Sequence, residues 1–143
     1  MWKCTKCGRI FEKAKQMHSC KKVPLDKHFE NKEEAKGIFD SLVKTINLKV
    51  GKSQIISLPC CIHLFGHNDY LAVLPKKDGL EIRFSLNRKL DSSRLKQAVP
   101  VSTKMYKNCI DIFKSEEIDA ELIGWIEEAY HLEDNIKNDT MRV

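Results

Sequence analysis

The 143-residue chain predicts an α+β domain: an antiparallel meander covered by an N-terminal and a C-terminal helix, with a small zinc-binding arm ahead of it. Apolar residues recur at helical spacing near the start and near the end, and they alternate with period two in between. Turn residues punctuate the alternating stretch, which marks hairpin-linked strands. Helices flanking such strands bury their apolar stripes on one face of the sheet.

The elements follow in order. Residues 1–24, ending at Pro24, read as a basic arm too short to hold a core of its own. Residues 25–131 read as the domain, and 132–143 as a polar tail whose helix frays. Within the domain, "LDKHF" makes a short helical turn. "NKEEAKGIFDSLVKTINLKVGK" then forms a full helix, with Asn31 and Glu34 as a capping box and Gly51 as the stop. Its face is Ala35, Ile38, Phe39, Leu42, Val43 and Ile46. Strands are expected at "SQIIS", "CCIHLF", "YLAVLP" and "GLEIRFSLN", the last two joined at "KKDG" and the middle two at "GHND". "DSSRLKQAVPVSTK" reads as either a short helix or a loop, and "MYKNCIDIF" as a further strand. The final helix, "SEEIDAELIGWIEEAYHL", starts at Ser115 with acidic residues against its positive end. Ile118, Leu122, Trp125, Ile126 and Ala129 form its buried stripe.

Charge is unevenly placed along the chain. The net charge of +5 divides into +6 for residues 1–24, zero for 25–75, +6 for 76–107 and −7 for 108–143. Such asymmetry points to a polyanionic partner on one side, or to an acidic helix packed beside basic strands that neutralises them. No apolar run approaches the roughly 20 residues of a membrane span. The basic N-terminus lacks the apolar stretch of a signal peptide, so a cytoplasmic protein is expected, with six cysteines as ligands and core residues rather than disulfides.

The arm carries the strongest chemical signal. Cys4, Cys7, His18 and Cys20 read C-x2-C-x10-H-x-C, four zinc donors in a 17-residue window. The Cys-x-x-Cys turn sets two thiolates at tetrahedral spacing, and Gly8 eases the backbone past the second. In an extended segment His18 and Cys20 face the same side. His28 could substitute for either. A full set of four protein ligands makes the zinc structural. A redox pair would need a thioredoxin-like βαβ pattern, which the sequence lacks.

Seven cations, Lys3, Lys6, Arg9, Lys13, Lys15, Lys21 and Lys22, make the arm the expected contact for nucleic acid or an acidic protein. Arg83, Arg88, Lys89, Arg94 and Lys96 could extend that surface. The alternative is a small-molecule-binding or enzymatic domain with a cleft lined by Arg83, Arg94 and Tyr106. No P-loop, Gly-x-Gly-x-x-Gly, Gly-x-Ser-x-Gly or His-Glu-x-x-His occurs, so no catalytic constellation is recognisable. Cys60 and Cys61, if in a strand, point to opposite faces and cannot share a metal. His63 and His67 have the spacing of a helical metal pair, but Gly66 and Asn68-Asp69 make a turn there.

The stretches "WKCTKCGRIFEKAKQMHSC", "LDKHF", "YLAVLPKKDGLEIRFSL" and "EEIDAELIGWIEEAY" together resemble a bacterial family, domain of unknown function 5655. The resemblance spans Trp2 to about Tyr130. It implies a small α+β domain without an assigned activity, and a histidine where this chain has Asn108. The arm by itself resembles zinc fingers with ligands in the order Cys, Cys, His, Cys, although its His–Cys spacing is shorter.

Overall fold

The computed structural model describes residues 2–6, 10–11, 14–15 and 22–141. In the arm, β1 (Trp2–Lys3) pairs antiparallel with β2 (Ile10–Phe11). A 3₁₀ turn at Leu25–Phe29 leads to α1 (Glu33–Lys49). Six strands follow: β3 (Gln54–Ser57), β4 (Ile62–Phe65), β5 (Asp69–Pro75), β6 (Leu80–Leu86), β7 (Leu95–Pro100) and β8 (Tyr106–Ile112). A second 3₁₀ turn, Ser115–Glu117, precedes α2 (Ala120–Met141).

The large sheet is antiparallel throughout, in the order β3-β4-β5-β6-β8-β7. The first four strands are the expected meander. β8 then pairs with β6, and β7 takes the outer edge, where sequence reading leaves helix and loop open. β7 has no fully buried residue, although Leu95 packs half-buried against the core, and a register shift between Leu95 and Gln97 breaks any alternation.

Both helices cover one face of the sheet. Ala35, Ile38, Phe39, Leu42 and Ile46 of α1 are buried, as are Leu122, Ile123, Ile126 and Ala129 of α2. They meet Ile62, Leu64, Leu71, Val73, Leu80, Ile82, Phe84, Leu86, Ile110 and Ile112 from the sheet. Each buried Leu, Ile or Phe contributes roughly 1.5–3 kcal/mol relative to exposure, so this layer dominates stability. A second, smaller cluster, Ile56, Leu58 and Phe65, stands apart from that core.

The helix ends differ from the sequence reading. Asn31 does not cap α1; it sits at φ 57°, in the left-handed region that Asn tolerates, and turns the chain between the 3₁₀ turn and the helix. Lys32 occupies the cap position without a side-chain capping bond; its ammonium donates to the Pro75 carbonyl at 3.3 Å instead. The other end agrees: Val50 and Gly51 both donate to the Ile46 carbonyl. Ser115 opens the 3₁₀ turn, and the cap of α2 falls to Asp119, whose Oδ1 accepts from Leu122 N at 3.0 Å. That backbone bond and Arg94 beside it hold the Asp119 carboxyl below its usual range. α2 continues to Met141 through the segment read as a tail; after Gly124 it meets neither Gly nor Pro. None of the described helices is long and apolar enough to cross a membrane.

Candidate metal centre

The face of the sheet away from the two helices holds a group of chemistry-bearing side chains, and two turns place them. β3 and β4 close through Leu58–Cys61, where Leu58 N donates to Cys61 O at 2.9 Å. Cys60 and Cys61 therefore lie in the turn, ahead of β4, and not in a strand as the sequence reading has them. Strand alternation does not apply, and the two sulfurs lie 2.6 Å apart. From Cys61 the chain enters β4, and residues i and i+2 face the same side. His63 Nε2 thus reaches Cys61 Sγ at 3.1 Å.

The second turn brings a carboxylate to the other side of the imidazole. Gly66, His67 and Asn68 link β4 to β5, with Gly66 N donating to Asn68 O. Leu64 pairs with Leu71 but Phe65 pairs with Asp69, so Tyr70 is an extra residue in a β-bulge. Asp69 stays on the face of His63, while Tyr70 and Leu71 both enter the core under the helices. The Asp69 carboxylate then holds His63 Nδ1, at 2.8 Å to Oδ2 and 3.0 Å to Oδ1. A carboxylate there accepts a hydrogen bond from Nδ1–H, which keeps that proton on Nδ1 and leaves the Nε2 lone pair pointing at the sulfurs.

Cys60, Cys61 and His63 place their ligand atoms within 4.8 Å of one another, and this group can hold a metal ion. Asp69, bonded to Nδ1, holds the His63 ring in the orientation that metal-binding imidazoles need. Thiol, imidazole and carboxylate in series is also the order of a nucleophile, its base and an orienting acid. The second thiol, a third donor that a nucleophile does not need, favours the metal.

The group forms one wall of a cleft of about 360 Å³. Register sets the opposite wall: His63 faces Ala72, Ala72 faces Arg83, and Arg83 faces Cys109 across four strands. Arg83, Ser85 and Lys107 line that side. Arg83 gives Nε and Nη2 to Glu81, which also accepts from Lys96 at 2.6 Å. Burial pulls the Glu81 carboxyl up, but the Lys96 and Arg83 hydrogen bonds outweigh it and leave it below its ordinary range. Burial pushes the Cys109 thiol up, with Arg83 partly opposing, so Cys109 stays protonated.

The residues singled out in the sequence are distributed as follows. Cys4 is buried; Cys7, His18 and Cys20 lie outside the described residues, as do Arg9, Lys13 and Lys21. Lys3, Lys6, Lys15 and Lys22 are exposed. His28 is half-buried, with its Nε2 shielded and unpartnered, beside a neighbouring cavity that Cys60 also lines. Of the three cleft candidates, Arg83 lines the cleft. Arg94 turns to the helix side, bonding Asp119, Glu121 and the Glu117 carbonyl and lying 5.8 Å over the Trp125 ring. Tyr106 pairs with Leu86 at the start of β8. Arg88 binds Glu128 of α2 through two hydrogen bonds. The basic strands and the acidic helix thus neutralise each other at these positions.

The sequence reading passed over Cys61, His63 and Asp69 as a unit. The signal was there in "CCIH", a cysteine and a histidine two apart at the start of a strand, with an aspartate just past the next turn.

No curated protein and no solved structure matches the chain. A family model does match, over residues 25–133, which span the 3₁₀ turn, all six strands of the large sheet and most of α2. The chain belongs to the family described as Domain of unknown function (DUF5655).

Proposed function

We propose that this protein is a zinc-binding domain whose ion lies in the cleft on the sheet face away from the helices, held by Cys60, Cys61 and His63, with the cleft serving as a small-ligand site. The observation that carries this reading is the convergence of three donor atoms within 4.8 Å, one of them an imidazole held by Asp69. Two thiolates and an imidazole are a donor set that suits zinc. Three protein donors leave one tetrahedral position for a ligand, unlike a four-donor structural site. The arm's Cys4, Cys7, His18 and Cys20 remain the proposed donors of a second, structural zinc. Thiolate sites of this kind persist where thiols stay reduced, which supports a cytoplasmic location.

Elemental analysis of the purified full chain tests this. Two zinc ions per chain are expected, with one lost in His63→Ala and the other in Cys4→Ser. Unchanged zinc content in His63→Ala would sink the cleft site.

One observation favours a second role for the arm, as a contact for nucleic acid. Arg83, Arg88, Arg94 and Lys96 are paired with acidic side chains, whereas Lys3, Lys6, Lys15 and Lys22 are exposed and form no ion pair among the described residues. Contacts from four or five of the arm's cations would make log K fall against log salt with a slope of roughly −3 to −4. Titration of single-stranded and duplex oligonucleotides at low salt checks it; no binding at tens of micromolar protein removes this role.

A further inference from the structure

We propose that the cleft binds a small oxyanion, a phosphate or carboxylate group, between a metal held by Cys60, Cys61 and His63 and the Lys107 ammonium on the opposite wall. This deepens the zinc reading and rests on it.

Lys107 is the observation that points to an anion. It lines the cleft half-buried, and its ammonium makes no ion pair or hydrogen bond among the described residues. The cations around it are all engaged: Arg83 and Lys96 with Glu81, and Lys76 with Asp111. An anion entering the cleft would give this ammonium the counter-charge that its neighbours already have. Ser85 stands directly opposite Lys107 in the β6–β8 register and offers a hydroxyl. Arg83 spends Nε and Nη2 on Glu81, which leaves Nη1 for a ligand.

The dimensions suit a small group. Neighbouring strands lie about 4.8 Å apart, so the backbones of His63 and Arg83 are separated by roughly 10 Å. Only the methyl of Ala72 stands between them in register. The cleft volume of about 360 Å³ lies at the small end of ligand sites. Two thiolates on a divalent ion leave the metal centre near neutral, with a position open to an oxygen donor. Asp69 does not compete for the cation, because both of its oxygens are turned to His63 Nδ1. His28 does not close the open position, since it borders the neighbouring cavity and is not one of the three donors within 4.8 Å.

The test uses the full chain loaded with Co²⁺, whose visible absorption reports the donors around it. The cleft ion is read as the difference between wild type and His63→Ala. Inorganic phosphate and acetate are titrated separately, and whichever shifts the difference spectrum identifies the anion. A saturable shift at millimolar anion is expected. Lys107→Met should weaken it about tenfold or more. Ala72→Leu should abolish it, with Co²⁺ uptake unchanged in both variants. Retained Co²⁺ with no response to either anion overturns the oxyanion site alone, as does a Lys107→Met protein that binds as tightly as wild type. No difference between wild type and His63→Ala overturns the metal site and this proposal together.

Discussion

Replacing Asp69 by alanine separates orientation from ligation at the metal centre. Asp69 touches no proposed ligand atom; it acts on His63 Nδ1, at 2.8 and 3.0 Å. Removing such an orienting carboxylate costs about 10–100-fold in metal affinity. The side chain of Asp69 is 31% exposed, against 15% for His63, so water screens part of the interaction. The expected loss is therefore near the lower end, about tenfold, or ~1.4 kcal/mol. Competition against a chromophoric chelator measures it. His63→Ala should lose more, because a donor atom goes. The double variant decides the mechanism: if Asp69 works only through the histidine, Asp69→Ala should have no further effect in the His63→Ala background. Equal losses in both backgrounds, or no loss in either, would refute the reasoning.

Further expectations concern the frame that carries the site. Asn108 is fully buried and accepts from Leu90 N at 3.1 Å while donating to the Arg88 and Tyr106 carbonyls at 3.3 Å. Asn108→Ala should cost about 3 kcal/mol in urea unfolding, since it removes these bonds and strands a buried backbone N–H; a loss under about 1 kcal/mol would show that water replaces them. A Cβ at Gly66 would collide with the Tyr130 ring, lying 2.9 Å from Cζ, and Tyr130 is also wedged against Gly51. Gly66→Ala should therefore lower stability by about 1–3 kcal/mol, read by thermal unfolding. Glu81, with its folded-state pKa depressed, contributes stability that is complete above its unfolded pKa of about 4.3 and is lost as pH falls through the lower folded value. Glu81→Gln should flatten that acid limb and leave the slope near neutral pH unchanged; an unaltered acid limb would contradict the assignment.

How much could be read beforehand depended on whether position alone decides the outcome. α1, α2 and the β5–β6 hairpin were legible because their apolar periods are strong: Leu80, Ile82, Phe84 and Leu86 alternate against Glu81, Arg83 and Ser85 without a break. β7 was not, since no residue from Leu95 to Pro100 is fully buried and a register shift after Leu95 breaks the alternation. The metal centre failed for a different reason. Extending the strand by two residues put Cys60 and Cys61 on opposite faces, and ending it at Ile62 puts both sulfurs beside His63. A boundary error of that size is ordinary, yet here it reverses the chemical conclusion. Arg94 was misplaced because nothing local marks its partners; Asp119 and Glu121 come from a helix some 25 residues later.

The bulge at Tyr70 constrains how the family can vary. Partners across a hairpin share a face whatever the loop length, so the connection Gly66-His67-Asn68 can change length as long as Asp69 still pairs with Phe65. Deleting the extra residue would leave Asp69 next to Leu71, and these two already face opposite sides, so the site and the core would both survive it. What would go is Tyr70, whose ring meets Tyr130 of α2 edge-on at 5.0 Å. The bulge therefore serves the seam between sheet and helix, and relatives that lack it should differ at the Tyr130 position while they keep the histidine and the aspartate.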